Sequence, residues 1–339
     1  MMKYTYKTEL RPTKQQIAKI NQNMGVCRWL YNRYISVNLH LHKMYRRGFL
    51  DNRQKHFLSA IDFDKYINQK VKNKLAFAWI GKCGSKARKK AIVNAEKAYI
   101  AFFKQQAGFP RFKKKFYDEV KLYYPKSNKS DWTIKRNKIK VPTFGYIELK
   151  EKGYIPQNAK VINGIISCKA GRYFIHVLVE RDLFIKKQAY RDGLRIDFSL
   201  EHFLVYGDGS SELNINKTKR VIKLKQRLSR AKRKLNRQVR YKIRYHIPAK
   251  HVTGNILKTQ REIQVIYQRL IWLRDDYLNK VIAKIIACRP RYIILKDFKV
   301  NSLLEDESLF ERVKEQKFFY FKARLLAKCK VYGIEVILI

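Results

Sequence analysis

Between Glu212 and Glu262 the chain runs for 49 residues without a single Asp or Glu, and the stretch from Arg220 to Arg244 alone carries twelve Lys and Arg side chains. Leu224, Leu228 and Leu235 recur through it, so the pattern predicts a helix with a narrow apolar seam and a broad cationic surface. Like charges one turn apart destabilise an isolated helix, so these must face solvent or phosphate. The bias extends to the whole molecule. In 339 residues, 76 Lys and Arg against 27 Asp and Glu give a net charge of +49. Solubility needs far less, and such self-repulsion calls for a polyanionic partner. With 46% hydrophobic residues the chain is nevertheless long and apolar enough for about two folded domains.

A membrane could supply negative charge, but the sequence holds no apolar run of about 18 residues and no basic-then-apolar leader. Nucleic acid in a reducing cytoplasm is the expectation, with no membrane partner. Cys27, Cys83, Cys168, Cys288 and Cys329 are scattered with no Cys-x-x-Cys pair, which argues against a zinc site and against a disulfide framework. Aromatic residues recur beside basic ones, as in Arg28-Trp-Leu-Tyr-Asn-Arg-Tyr34. Such rings stack on bases in some proteins and fill cores in others. An unguided protein that coats RNA, such as a chaperone or a ribosome-associated factor, is the alternative account of the charge.

The opening Lys3-Tyr-Thr-Tyr-Lys-Thr-Glu-Leu10 alternates as a strand does and stops at Arg11-Pro12, where Thr13 can cap a helix. From there to about Leu50, Ile17, Ile20, Met24, Cys27, Leu30, Tyr31 and Tyr34 recur at helical spacing, with a break expected near Gly25. A second helix is expected over 85–103. Short strands follow near 120–124, 138–141, 146–149, 161–168 and 173–179, enough for a small barrel or sandwich. Beyond Lys186 come a hairpin at 193–205 with its turn at Gly207-Asp-Gly209, the basic helix, a helix over 263–285, a strand at 291–295, a helix over 311–332 and a strand at 335–339.

Gly193-Leu-Arg-Ile-Asp197-Phe-Ser-Leu, running on to Asp208-Gly209, resembles the first RuvC motif of TnpB, the RNA-guided nuclease of bacterial transposons. Tyr6-Lys-x-x-Leu-Arg-Pro-Thr13, Gly25-Val-Cys-Arg-Trp-Leu-Tyr-Asn32, Lys97-Ala-Tyr-Ile-Ala-Phe-Phe103, Gly108-Phe-Pro-Arg-Phe-Lys-Lys114 and Leu228-Ser-Arg-Ala-Lys-Arg-Lys234 match the family in order, so the resemblance spans nearly the whole chain. It implies an α+β multidomain fold: a wedge-like β-barrel from 1–12 and 109–186, a helical recognition insertion over 13–108, and a RuvC-like, RNase H-like α/β domain over 187–339, truncated and without the family's zinc ribbon. It also implies a guide RNA and a double-stranded DNA target with a short flanking motif as partners, the chain being monomeric or dimeric.

Nucleases of this family hold two metal ions with three carboxylates. The first is retained as Asp197. The second falls in Tyr292-Ile-Ile-Leu-Lys296-Asp-Phe, where Lys296 replaces the family's glutamate. A cation cannot ligate Mg²⁺, so Lys296 is expected to pair with Asp197, and Asp297 to point to the other face of its strand. The third carboxylate lies beyond the sequence at Ile339. The expectation is therefore a degenerate site with no catalytic residues, no bound metal and no enzyme activity, similar to the nuclease-dead repressors called TldR, which would block transcription by an R-loop over promoter DNA. A residual RNA-guided nuclease is the opposing reading. For nucleic-acid backbone contacts the candidates are Arg111, Lys113, Lys114, Lys115, Arg220, Lys223, Arg227, Arg230, Arg233, Lys234, Arg237 and Arg240. For the flanking motif they are Lys86, Lys89, Tyr123, Tyr124 and Lys126, for which core tyrosines and solvated lysines are an equal reading.

Overall fold

A computed structural model describes residues 2–49, 57–115, 119–128, 131–181, 192–248, 253–296 and 307–339. The chain divides into two units, Met1–Asp182 and Leu183–Ile339.

In the first unit, β1 (Met2–Arg11) alternates as its sequence demands, with Tyr6, Thr8 and Leu10 buried and Lys3, Thr5, Lys7 and Arg11 exposed. Thr13 then closes a capping box with Gln16, each side chain bonding the other's backbone N–H, and starts α1 (Lys14–Arg46). Gln16 Nε2 also donates to the carbonyls of Phe144 and Tyr146, at 3.3 and 2.8 Å, which ties the start of the helix to the sheet. Ile20, Met24, Cys27, Leu30, Tyr31 and Tyr34 bury one face. The break expected at Gly25 does not occur: the helix runs through it, because the apolar face on either side is continuous and one glycine costs only about 1 kcal/mol.

After α1 come α2 (Ala60–Tyr66), a π-helical turn at Ile67–Val71, a 3₁₀ segment at Leu75–Lys82 and α3 (Ser85–Phe103). Six further strands, β2 (Leu122–Pro125), β3 (Thr133–Ile134), β4 (Lys138–Val141), β5 (Gly145–Leu149), β6 (Lys160–Lys169) and β7 (Arg172–Arg181), join β1 in one antiparallel sheet of order β2-β6-β7-β1-β5-β4-β3. Among the described residues β2 and β3 remain its two edges, and no ladder joins them into the expected barrel. The β6–β7 hairpin turns at Ala170 and Gly171, both at positive φ (50° and 77°), the geometry that matches strand twist. Gly164 on β6 leaves room for Trp132: a Cβ there would come within 2.1 Å of the indole. One apolar cluster unites the helices and the sheet.

The second unit is built on a five-stranded mixed sheet of order β10-β9-β8-β11-β12. β8 (Leu194–Phe198), β11 (Tyr292–Leu295) and β12 (Glu335–Leu338) are parallel neighbours, while β9 (Leu204–Tyr206) and β10 (Ser211–Glu212) continue antiparallel from β8. The chain between β8 and β11 contributes α4 (Lys219–Arg244) and α5 (Gly254–Ala287). The helix expected over 311–332 is two, α6 (Glu307–Gln316) and α7 (Phe318–Tyr332). Lys317 between them takes a left-handed conformation (φ 58°), held by an ion pair to Asp275 at 2.6 Å. Phe203 stacks on Phe318 and meets Phe321 edge-on, so the break seats the start of α7 in the core beside Ile196, Leu204, Ile293 and Leu295. A second, smaller cluster of Val221, Leu228, Ala231, Ile266 and Leu270 joins α4 to α5.

Candidate nucleic-acid interface

α4 has the asymmetry its sequence predicts. Val221, Leu228 and Ala231 are its buried residues, and Leu224 and Leu235 are half-buried. Arg220, Lys223, Arg227, Arg230, Arg233, Lys234, Arg237 and Arg240 are all exposed. Six of these, from Arg227 to Arg240, line an open groove of about 810 Å³ together with Ala231, Asn236 and Glu262 of α5. The groove is not uniformly cationic, because Glu262 pairs with Arg227 at 3.0 Å. Two basic residues absent from the candidate set also have partners on this unit: Lys225 binds Glu315, and Lys232 lies 5.2 Å from the centre of the Tyr267 ring. Sequence separation hid both, since each partner lies far along the chain. The other arginines of the groove are exposed, and Arg is chemically suited to phosphate because its fork can bond two oxygens at once.

In the first unit Arg111, Lys114 and Lys115 are exposed, whereas Lys113 is half-buried. Its ammonium lies 4.1 Å from the centre of the Tyr31 ring, and its backbone N–H donates to Asn32 Oδ1 at 2.8 Å while the Lys113 carbonyl accepts from Asn32 Nδ2. Lys113 therefore anchors this segment to α1, a role the charge run does not reveal. Tyr31 and Asn32, with the buried Leu30 and Tyr34 of the same aromatic-basic motif, thus serve packing, while its Arg33 is exposed.

The flanking-motif candidates separate. Lys86 and Lys89 are exposed on α3, with Lys89 3.7 Å from Asp64, and Lys126 is exposed after β2. Tyr123 is half-buried beneath Lys90, whose ammonium is 5.1 Å from its ring. Tyr124 does not belong with them. It is 2% exposed, packs edge-on against Phe144, and its hydroxyl meets Asn23 Oδ1 at 3.4 Å. Burial holds the phenol well above its usual range, in a core that DNA does not reach. On a half-buried strand adjacent residues face opposite ways, so only one of the two tyrosines could be outside.

At the end of β8, Asp197 is partly buried. Its Oδ2 lies 3.6 Å from Arg195 Nε, and its Oδ1 is buried with no hydrogen-bond partner. Parallel pairing matches Leu295 to Ile196, and Lys296 N–H donates to the Ile196 carbonyl at 3.2 Å, so Lys296 follows beside Asp197. The expected Lys296–Asp197 ion pair is nevertheless not formed. Arg195, two residues earlier on the same strand face, takes the carboxylate, and the Lys296 side chain stays exposed in water. The alternation rule that identifies Arg195 was available in the sequence. Asp297 lies outside the described residues, as do Glu305 and Asp306. Among the described residues no three His, Cys, Asp or Glu side chains come together as a metal site. Asp197 with its unpartnered oxygen could serve as one ligand, but the described residues do not complete a two-metal set and no catalytic step follows from them. No helix among the described residues is long and apolar enough to cross a membrane.

Residues 1–47 match the family model HTH_OrfB_IS605, described as a helix-turn-helix domain, although here they form a strand and one uninterrupted helix. Over 300 residues the chain is 23% identical to "Putative RNA-guided DNA endonuclease InsQ" of Escherichia coli (strain K12), covering 88% of this chain and 67% of that protein. It is 21% identical over 340 residues to "Putative RNA-guided DNA endonuclease" of Streptomyces pristinaespiralis, covering 100% and 77%. The fold is similar to that in the "Cryo-EM structure of the Cas12f1-sgRNA-target DNA complex", with a TM-score of 0.50 and 11% identity over 95% of this chain and 73% of that one. These relatives overturn one expectation. Both curated proteins are named as endonucleases, which conflicts with reading this chain as a non-enzyme from Lys296 and the sequence at Ile339. By sequence the chain is similar to TnpB, IS605 OrfB-like proteins, including two named as putative RNA-guided DNA endonucleases, and its fold is similar to that of Cas12f1.

Proposed function

We propose that this chain is an RNA-guided DNA-binding protein. The observation that carries the reading is α4, an acid-free helix whose exposed arginines line the groove against α5, in a chain similar over most of its length to RNA-guided endonucleases. In this reading the sheet and helices of the first unit act as the wedge and recognition parts, and the second unit as the RuvC-like part. The protein holds a guide RNA and its duplex with target DNA by their backbones, base pairing reads the sequence, and Lys86, Lys89, Tyr123 and Lys126 are the candidates for the flanking motif. Where the target overlaps a promoter, the bound complex excludes RNA polymerase and lowers transcription.

Sequencing the RNA that co-purifies with the chain tests the proposal. One abundant species with a structured scaffold and a short variable end is expected, and it should direct the protein to duplex DNA carrying the matching sequence. A random mixture of cellular RNA would instead support an unguided RNA-binding protein. The same complex assayed with Mg²⁺ measures cutting, the activity in the relatives' names. Asp197→Ala is expected to reduce that cutting while leaving guided binding within about twofold, because Asp197 offers a free carboxylate oxygen and lies on a different element from the groove of α4.

A further inference from the structure

The last two turns of α4 have no core to fill. Beyond Ala231 no residue of the helix is buried, yet Val239, Tyr241, Ile243 and Tyr245 follow. Tyr241 and Tyr245 are 58% and 56% exposed. Their i, i+4 spacing puts them on one side of the helix, and they meet each other with ring centroids 4.5 Å apart and planes tilted by 42°. The end of the helix is fixed beneath them. His246 turns the chain in the left-handed conformation, its N–H donates to the Ile243 carbonyl at 3.1 Å, and Lys242 Nζ donates to the Pro248 carbonyl at 3.2 Å. The Arg244 guanidinium stands 6.0 Å from the centre of the Tyr245 ring, and Arg237, Arg240 and Lys242 lie within the adjoining turns. An exposed pair of rings held by its own contact, with Arg244 beside it and further cations in the adjoining turns of a segment that contains no carboxylate, is poorly suited to an apolar protein partner. It has the two elements that bind an unpaired nucleotide: a π-face for the base and positive charge for its phosphate.

We propose that Tyr241 and Tyr245 form a stacking platform for unpaired bases of single-stranded nucleic acid. The proposal rests on the reading of α4 as a nucleic-acid-binding helix and adds that its C-terminal end selects single strands. Stacking contributes little to counterion release, whereas phosphate contact dominates it, so the two parts of α4 are separable by salt. The ends of a guide RNA and a displaced DNA strand share this chemistry, and matched RNA and DNA oligomers distinguish them.

The test uses the full-length chain, freed of co-purifying RNA, titrated with labelled oligoadenylate RNA, its DNA counterpart and a DNA duplex over a range of salt. For Tyr241→Ala combined with Tyr245→Ala, single-strand affinity is expected to fall about 5- to 150-fold, with the salt slope and duplex affinity unchanged. Tyr241→Phe with Tyr245→Phe should bind as the parent does, since the rings suffice. Loss confined to one oligomer assigns the platform to RNA or to displaced DNA, and equal loss assigns it to the base alone. The platform is overturned if the alanine variant binds single strands as the parent does, if duplex and single strand weaken together, or if the phenylalanine variant loses as much. A parent chain that binds none of the three ligands would instead remove the underlying reading of α4.

Discussion

Glu9 is held between two cations of the first unit, Arg172 at the start of β7 and Lys150 just after β5. Arg172 grips both of its carboxylate oxygens, Nε donating to Oε1 at 2.6 Å and Nη2 to Oε2, and Lys150 adds a 3.0 Å contact. Burial raises the carboxyl pKa, but these two partners outweigh it and hold the group below its ordinary 4.5. A depressed folded-state pKa means that the stabilisation is present in full above the unfolded value and is lost as pH falls through the lowered one. Stability should therefore decline as pH falls below 4.5, and Glu9→Gln should lessen that decline while lowering Tm at neutral pH. A Tm that falls equally in both proteins on acidification would assign the sensitivity elsewhere. Glu9 was invisible as a hub in the sequence because its partners lie more than a hundred residues away. Asp197 was legible from its motif, while its unpartnered oxygen is a property of packing that no linear pattern carries.

Elements with long, strongly periodic patterns were the readable ones. β1, α1, α3, α4, β6 and β7 stand within a few residues of their expected limits, because burial of one face fixes both type and register. The break at Lys317 was missed, since a lysine gives no signal for a left-handed turn and the apolar spacing continues across it. The missing break at Gly25 is the converse, a signal overruled by packing. α4 also yields a quantitative expectation. If Arg230, Arg233 and Arg237 each neutralise one phosphate, alanine at each should lessen the salt dependence of duplex binding by about 0.9 in log–log slope, with losses adding roughly. Fluorescence titrations across salt would measure it, and an unchanged slope in the triple variant would place the phosphate track on another surface.

At the scale of the molecule, each unit owns its core: helices and sheet share one in Met1–Asp182, and the mixed sheet with α5 and α7 shares another in Leu183–Ile339. Calorimetry of the RNA-free chain is expected to show two transitions, and Gly164→Ala, which drives a methyl into Trp132, should lower only the one belonging to the first unit. A single transition displaced as a whole would indicate one cooperative body. Charge, by contrast, was legible at once, because composition sums over every residue and needs no geometry. If α4 holds nucleic acid as proposed, its sparse acidity also affects release. Among its basic residues only Arg227 and Lys225 have carboxylate partners within the described structure, so the helix holds few internal competitors that could reclaim its guanidinium groups once phosphate has bound. Departure of a long ligand then depends on what the solution supplies. A second polyanion could then occupy sites one at a time as the first peels back, so off-rates are expected to rise with the concentration of free nucleic acid and exchange, rather than spontaneous dissociation, to set residence time.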